Sequence, residues 1–214
     1  MNSLMRVSKR EYPARVPAQL AKIGTGHPYL RKLIEVMSHL RETGDHGGVF
    51  AFTAPAGRAG VTHVVRLAAQ ELANQTGERV LIADSSTLDG LSSRQIGKAS
   101  RGAVEICTNV WNVVQNNEIS QVAAQDLERI VVDVLSRSFG FILIDCPALT
   151  KSADAILVAP QTDGVFLVVA AGETRRSEIH RARALLREAS GNLAGLILNK
   201  RTYPVPKSLF KLFR

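Results

Sequence analysis

From Gly48 onward, short and nearly continuous apolar runs alternate with stretches of helical period. That alternation marks strands joined by helical crossovers. The runs place strands at 49–53, 79–84, 109–115, 139–145, 164–170 and 193–199. Runs such as FILID and VFLVVA show no alternation with polar residues, as expected when helices cover both faces of a parallel sheet. Helical period with few breakers predicts helices over 62–75, 124–138, 152–159 and 177–189, each filling one crossover. The expected fold class is therefore α/β: a three-layer sandwich with a mostly parallel central sheet.

The pattern changes at both ends. Residues 6–26 mix basic side chains with Pro13 and Pro17 and have no clean period, which suggests an extended arm. Residues 28–42 then predict a helix with Leu30, Leu33, Ile34, Met37 and Leu40 on one face, suited to docking on the sheet edge or on a neighbouring subunit, the former preferred. After residue 200, Tyr203-Pro-Val-Pro breaks regular structure, and 207–214 set Leu209, Phe210, Leu212 and Phe213 among three positive charges. The expected organisation is an arm and docking helix over 1–47, one α/β domain over 48–200, and a basic amphipathic tail over 201–214.

Charge sharpens this division. The 214 residues carry a formal net charge of +8. Residues 1–32 hold seven Lys/Arg against one acid, 33–199 hold 15 against 18, and 200–214 hold five against none. The positive charge thus sits on the ends, where it suits an anionic leaflet or an acidic partner. A nucleic-acid module would carry it on the folded body, so nucleic acid is not an expected partner. No apolar run approaches the roughly 20 residues that span a bilayer, and the N-terminal residues lack the apolar stretch of a secretory signal. A cytoplasmic location, peripheral at the inner membrane, is expected. Cys107 and Cys146 fit reduced thiols and have no zinc-site spacing.

The candidate chemistry lies where the first core strand gives way to a helix, in Thr53-Ala-Pro-Ala-Gly-Arg-Ala-Gly-Val-Thr62. Such a junction can hold an anion through backbone N–H groups and the helix N-terminus. A working phosphate loop, G-x-x-x-x-G-K-[ST], adds a Lys for the β/γ-phosphates and a hydroxyl for Mg²⁺, and this stretch does not match it. A plain tight turn at Gly57 and Gly60 is the simpler alternative. Elsewhere the bland assignments prevail: Cys146 as a small buried side chain without a neighbouring base, His63 as a surface histidine, Trp111 as a core aromatic, and Arg175-Arg176 as a solvated turn.

Over most of 48–200 the chain resembles the cytosolic P-loop domain of bacterial tyrosine kinases and their polysaccharide-export relatives, a branch that includes MinD-like ATPases. FGFILIDCPAL resembles the Walker B strand, the stretch from Ser152 to Leu186 the next helix, strand and basic turn, and AGLILNK the strand ending in the adenine-side Asn. Anchored on Leu67-Ala68, the resemblance puts Gly60 at the Walker lysine, Ala59 at the preceding Gly and Val61 at the Mg²⁺-ligating Ser. Gly57 and Thr62 keep the pattern. Asp84 matches the first carboxylate of the second acidic motif, with Ser86 in place of the other; Asp145 matches the Walker B carboxylate and Asn199 the base-reading Asn.

The resemblance implies a nucleotide site held by Gly57, Arg58, Gly60, Thr62 and Asn199, with Asp84 and Asp145 as Mg²⁺ ligands or, in an active enzyme, catalytic carboxylates. Losing one preorganised group commonly costs about 3–4 kcal/mol of barrier, and here a cation and a metal-ligating hydroxyl are both missing. The expectation is a degenerate, non-catalytic cytosolic partner in bacterial exopolysaccharide or capsule biosynthesis and export, requiring no cofactor. It would engage the cytosolic segment of a chain-length-determinant membrane protein. The alternative is an active ATP-dependent tyrosine kinase or ATPase, with ATP/ADP and Mg²⁺, whose loop is rearranged so that Arg58 stands in for the lysine and Thr62 reaches the metal. Against autophosphorylation of the kinases' tyrosine cluster, the tail from Arg201 to Arg214 holds one tyrosine, and the Glu/Arg motif that builds their ring is not cleanly matched in 27–41.

Overall fold

In the computed structural model, residues 28–41, 47–85, 103–113 and 138–200 are described. The expected arm, the tail and nearly all of the helix expected over 124–138 lie outside them. Helix α1 spans Pro28–Arg41 and strand β1 Gly48–Thr53, followed by α2 (Val61–Thr76), β2 (Val80–Asp84), β3 (Ala103–Cys107) and β4 (Val110–Val113). Then come β5 (Phe141–Asp145), a short α3 (Asp154–Val158) with a 3-10 turn over Ala159–Gln161, β6 (Gly164–Ala170), α4 (Arg176–Glu188) and β7 (Leu193–Asn199). The strands form one seven-stranded sheet in the order β3-β4-β2-β5-β1-β6-β7. Every pairing is parallel except β3 with β4.

The unbroken apolar runs are explained by what covers the sheet. Along β1, Val49 and Ala51 face one cluster while Phe50 and Phe52 face the other. The first cluster joins Leu81, Ile142, Ile144 and Leu167 to Val158 of α3 and Ala182 and Leu186 of α4. The second joins Ile82, Leu143, Phe166 and Val168 to the buried faces of α1 and α2. With both faces covered, the strand positions in the middle of the sheet are apolar until the strand ends. Thr53 is fully buried, and its hydroxyl donates to the Pro147 carbonyl at 2.7 Å.

The structure departs from the sequence-based expectations in four places. Helix α1 docks not on the sheet edge but over a face, packing on α2 and the central strand β1 through Leu30, Leu33, Ile34 and Met37. Its last residue, Arg41, donates twice to Glu78, at 2.7 and 2.8 Å, and stacks over Phe141. The strand expected over 109–115 is present as β4, but β3 was not expected: AVEIC turns through Thr108 and Asn109, with Asn109 at φ 60, into β4, its antiparallel partner. The helix expected over 152–159 is shorter, because Ser152 and Asp154 bond each other in a local turn and Pro160 ends the run in a 3-10 turn. Trp111 is only partly buried, packed edge-on to Phe139 with Arg79 over its ring.

Candidate functional site

Because β1, β2 and β5 are parallel neighbours, their C-terminal ends open on the same edge of the sheet, where ligand crevices of α/β folds lie. The loop after β1 turns into α2 through Gly60, which takes φ 85 and ψ 37 and caps the helix without any side-chain hydrogen bond. The N–H groups of the first turn of α2 are therefore uncapped by side chains. The left-handed backbone favours glycine here, and a Cβ at residue 60 would stand 2.6 Å from the side-chain amide nitrogen of Asn199, which would have to move aside. Arg58 also takes a positive φ, of 68.

Asp84 and Asp145 are direct register partners at the ends of β2 and β5. Parallel pairing thus sets two carboxylates side by side. Partial burial pushes the Asp145 carboxyl above the usual carboxylate range; a hydrogen bond from Thr62 opposes that shift, Asp84 adds to it and Arg66 counters it. Gly57, Arg58, Gly60, Thr62, Asp84 and Asp145 line one open cleft of about 340 Å³.

Asn199 does not line this cleft itself but meets its loop at Ala59 and Gly60. Its amide donates to the Ala59 carbonyl at 2.8 Å and lines a larger groove of about 870 Å³ between α1 and β7. It therefore braces the loop from behind. Lys151, which sequence inspection did not single out, enters the cleft from the segment after β5. Nothing in the local pattern marks it, because it is a lone lysine in a Ser/Thr-rich turn; only the topology carries it to the loop.

The remaining candidates fall where ordinary chemistry puts them. Cys146 is buried, and desolvation with the neighbouring Asp145 drives its thiol far above the usual range, so it is no nucleophile. His63 is exposed on the first turn of α2. Among the described residues no group of three or more His, Cys, Asp and Glu side chains could hold a metal ion, and no helix is long and apolar enough to cross a membrane. Side by side, Asp84 and Asp145 suit a hydrated divalent cation bound by one or two carboxylates, while the loop itself offers no lysine and no hydroxyl at residue 61.

The chain is 27% identical over 122 residues to the tyrosine-protein kinase CpsD of Streptococcus agalactiae. Its homologues are bacterial tyrosine-protein kinases. The match covers 54% of this chain and 53% of that protein, so the chain matches about half the length of its curated relatives. A second relative, CpsD of Streptococcus pneumoniae, is 29% identical over 106 residues, covering 47% of each chain. No protein-family model matches the chain. Among solved structures, the kinase domain of Escherichia coli tyrosine kinase ETK superposes with a TM-score of 0.64 at 20% identity, covering 83% of this chain and 78% of that one. The septum site-determining protein MinD of Pyrococcus horikoshii, solved with Mg-ADP, gives 0.55 at 19% identity, covering 76% and 75%. The fold is thus that of P-loop NTPases, the mostly parallel α/β sandwich expected from the sequence.

Proposed function

We propose that this chain is a non-catalytic partner or regulator in bacterial capsule or exopolysaccharide biosynthesis and export, built on a P-loop NTPase fold whose Walker A loop has degenerated. The biological setting is supported by the similarity to CpsD and to the putative tyrosine-protein kinase CapB of Staphylococcus aureus. The loss of catalysis is supported chiefly by residue 60. Gly60 is left-handed, and a side chain there would have to displace the Asn199 amide from its bond to the Ala59 carbonyl, so the loop as built disfavours a lysine at this position. Val61, at the start of α2, offers no hydroxyl to a metal. Phosphoryl transfer depends on placed charge, and this loop lacks two of its usual sources.

The partner in this proposal is the cytosolic segment of a chain-length-determinant membrane protein, with the basic ends at the inner leaflet. One observation favours the runner-up, an active ATP-dependent tyrosine kinase or ATPase. Thr62 lines the same cleft as Asp84 and Asp145 and opposes the upward shift of the Asp145 carboxyl, so one hydroxyl still stands beside the acidic pair. Incubation with Mg-ATP and the partner segment tests both: the non-catalytic proposal expects co-purification with no phosphotyrosine on either protein. Phosphotyrosine that disappears in Asp145→Ala would establish the runner-up.

A further inference from the structure

A cleft for a multiply charged phosphate needs a cation facing the anion, and residues 54–62 contain Arg58 but no lysine. Lys151 approaches from the opposite wall. A Cβ built on Gly57 would lie 3.3 Å from its Cε and 3.8 Å from its Nζ, so the ammonium hangs over the loop where residue 57 has no side chain. The ammonium has no carboxylate partner among the described residues, although Asp84 and Asp145 line the same cleft.

The segment carrying Lys151 is fastened rather than trailing. Leu149 N–H donates to the Ala54 carbonyl at 2.9 Å, tying the segment to the start of the loop, and Lys151 N–H donates to the Ala148 carbonyl at 2.7 Å. Asp154 accepts from Ser152 Oγ on one side and from Ser85 Oγ, at 2.8 Å, on the other. Ser85 follows Asp84, so one carboxylate links the lysine's segment to the strand end that carries the first acid. A preorganised support of this kind sets where a flexible side chain can deliver its charge.

We propose that Lys151 is the cation of this cleft, replacing from the β5 side the lysine that the loop lacks, and that the cleft takes the polyphosphate end of a nucleotide or free pyrophosphate. Backbone N–H groups at an uncapped helix start and a lysine acting as a point charge recognise the same anion. The proposal rests on the reading of this chain as a P-loop NTPase fold with a degenerate Walker A loop, and adds a ligand class and a cation to that cleft.

Calorimetric titration with ATP, ADP and pyrophosphate, on wild type, Lys151→Ala and Lys151→Arg, tests it, with a turnover assay on the same samples. Loss of one charge-assisted contact is expected to weaken binding about tenfold or more in Lys151→Ala, while Lys151→Arg stays within about threefold of wild type. The melting temperature should not change, because Lys151 is exposed. Weakening for ATP alone identifies a nucleotide as the ligand, and weakening for pyrophosphate too identifies the phosphates; either supports Lys151. Equal affinities for wild type and Lys151→Ala, or no binding of any probe by wild type, would overturn the proposal. Turnover by wild type would overturn the non-catalytic proposal alone, since the affinity comparison is read independently.

Discussion

Gly60 decides most at the scale of single residues. Placing any side chain there adds a left-handed penalty of roughly 1–2 kcal/mol to a contact of 2.6 Å with Asn199. Gly60→Ala should therefore lower stability by at least about 1 kcal/mol in urea unfolding, and more if the bond from Asn199 to Ala59 breaks. Gly60→Lys should destabilise likewise and create no ATP turnover, because the inserted ammonium starts from a backbone that must first rearrange. Turnover gained with unchanged stability would show that the loop accepts a lysine as it stands.

Asp145 gives a second residue-scale prediction, with a definite sign. Its carboxyl pKa is raised in the folded state, by burial above all, so folding favours the protonated form. Stability on this account is greatest at acid pH, where both states are protonated, and falls as pH rises from the unfolded carboxylate range through the raised value. Asp145→Asn, which cannot ionise, should raise the melting temperature at pH 7, with a gain that fades as the pH falls toward 4. A gain equal at both pH values would contradict the desolvation account.

At the scale of elements, α1 illustrates what a pattern can and cannot say. The spacing of Leu30, Leu33, Ile34 and Met37 specified a helix and its buried face, and all four side chains are buried. It could not specify the surface receiving that face, which is α2 and β1 rather than the sheet edge. Met37 is fully buried, so Met37→Ala should cost about 2–5 kcal/mol if α1 docks within its own chain. A cost near zero in the isolated chain would mean that this face is completed by another molecule.

The same contrast runs through the rest of the fold. The central strands were legible because both faces are apolar, and their runs needed no knowledge of pairing partners. The β3–β4 hairpin was missed because its strand AVEIC is short and half exposed, and only Asn109, in a left-handed turn, signals it. Within the cleft, the residues of the loop and strand ends were legible from one contiguous junction and two strand termini. Lys151 was not, because nothing in its neighbourhood announces the distance it closes in space. Asn199 was legible as a strand end, yet its brace on Ala59 spans 140 residues and is a product of the sheet order.

At the scale of the whole molecule, a slightly acidic body lies between two basic ends. Removing residues 207–214 takes away three positive charges and two phenylalanines, which should reduce co-sedimentation with anionic vesicles, most clearly at low salt. Equal co-sedimentation of the full-length and shortened proteins would exclude the tail as a membrane contact. That body is built on a seven-stranded, mostly parallel sheet with Asp84 and Asp145 at paired strand ends, while residues 54–61 contain neither a lysine nor a hydroxyl.

The central claim, a P-loop fold without phosphoryl transfer, is tested most directly by phosphate release from Mg-ATP, measured on wild type beside Asp145→Ala at matched concentration. The two proteins should be indistinguishable, both at the uncatalysed background. Release by wild type that is well above background and lost in Asp145→Ala would contradict it, and would mean that Lys151, Arg58 and Thr62 together rebuild a working site.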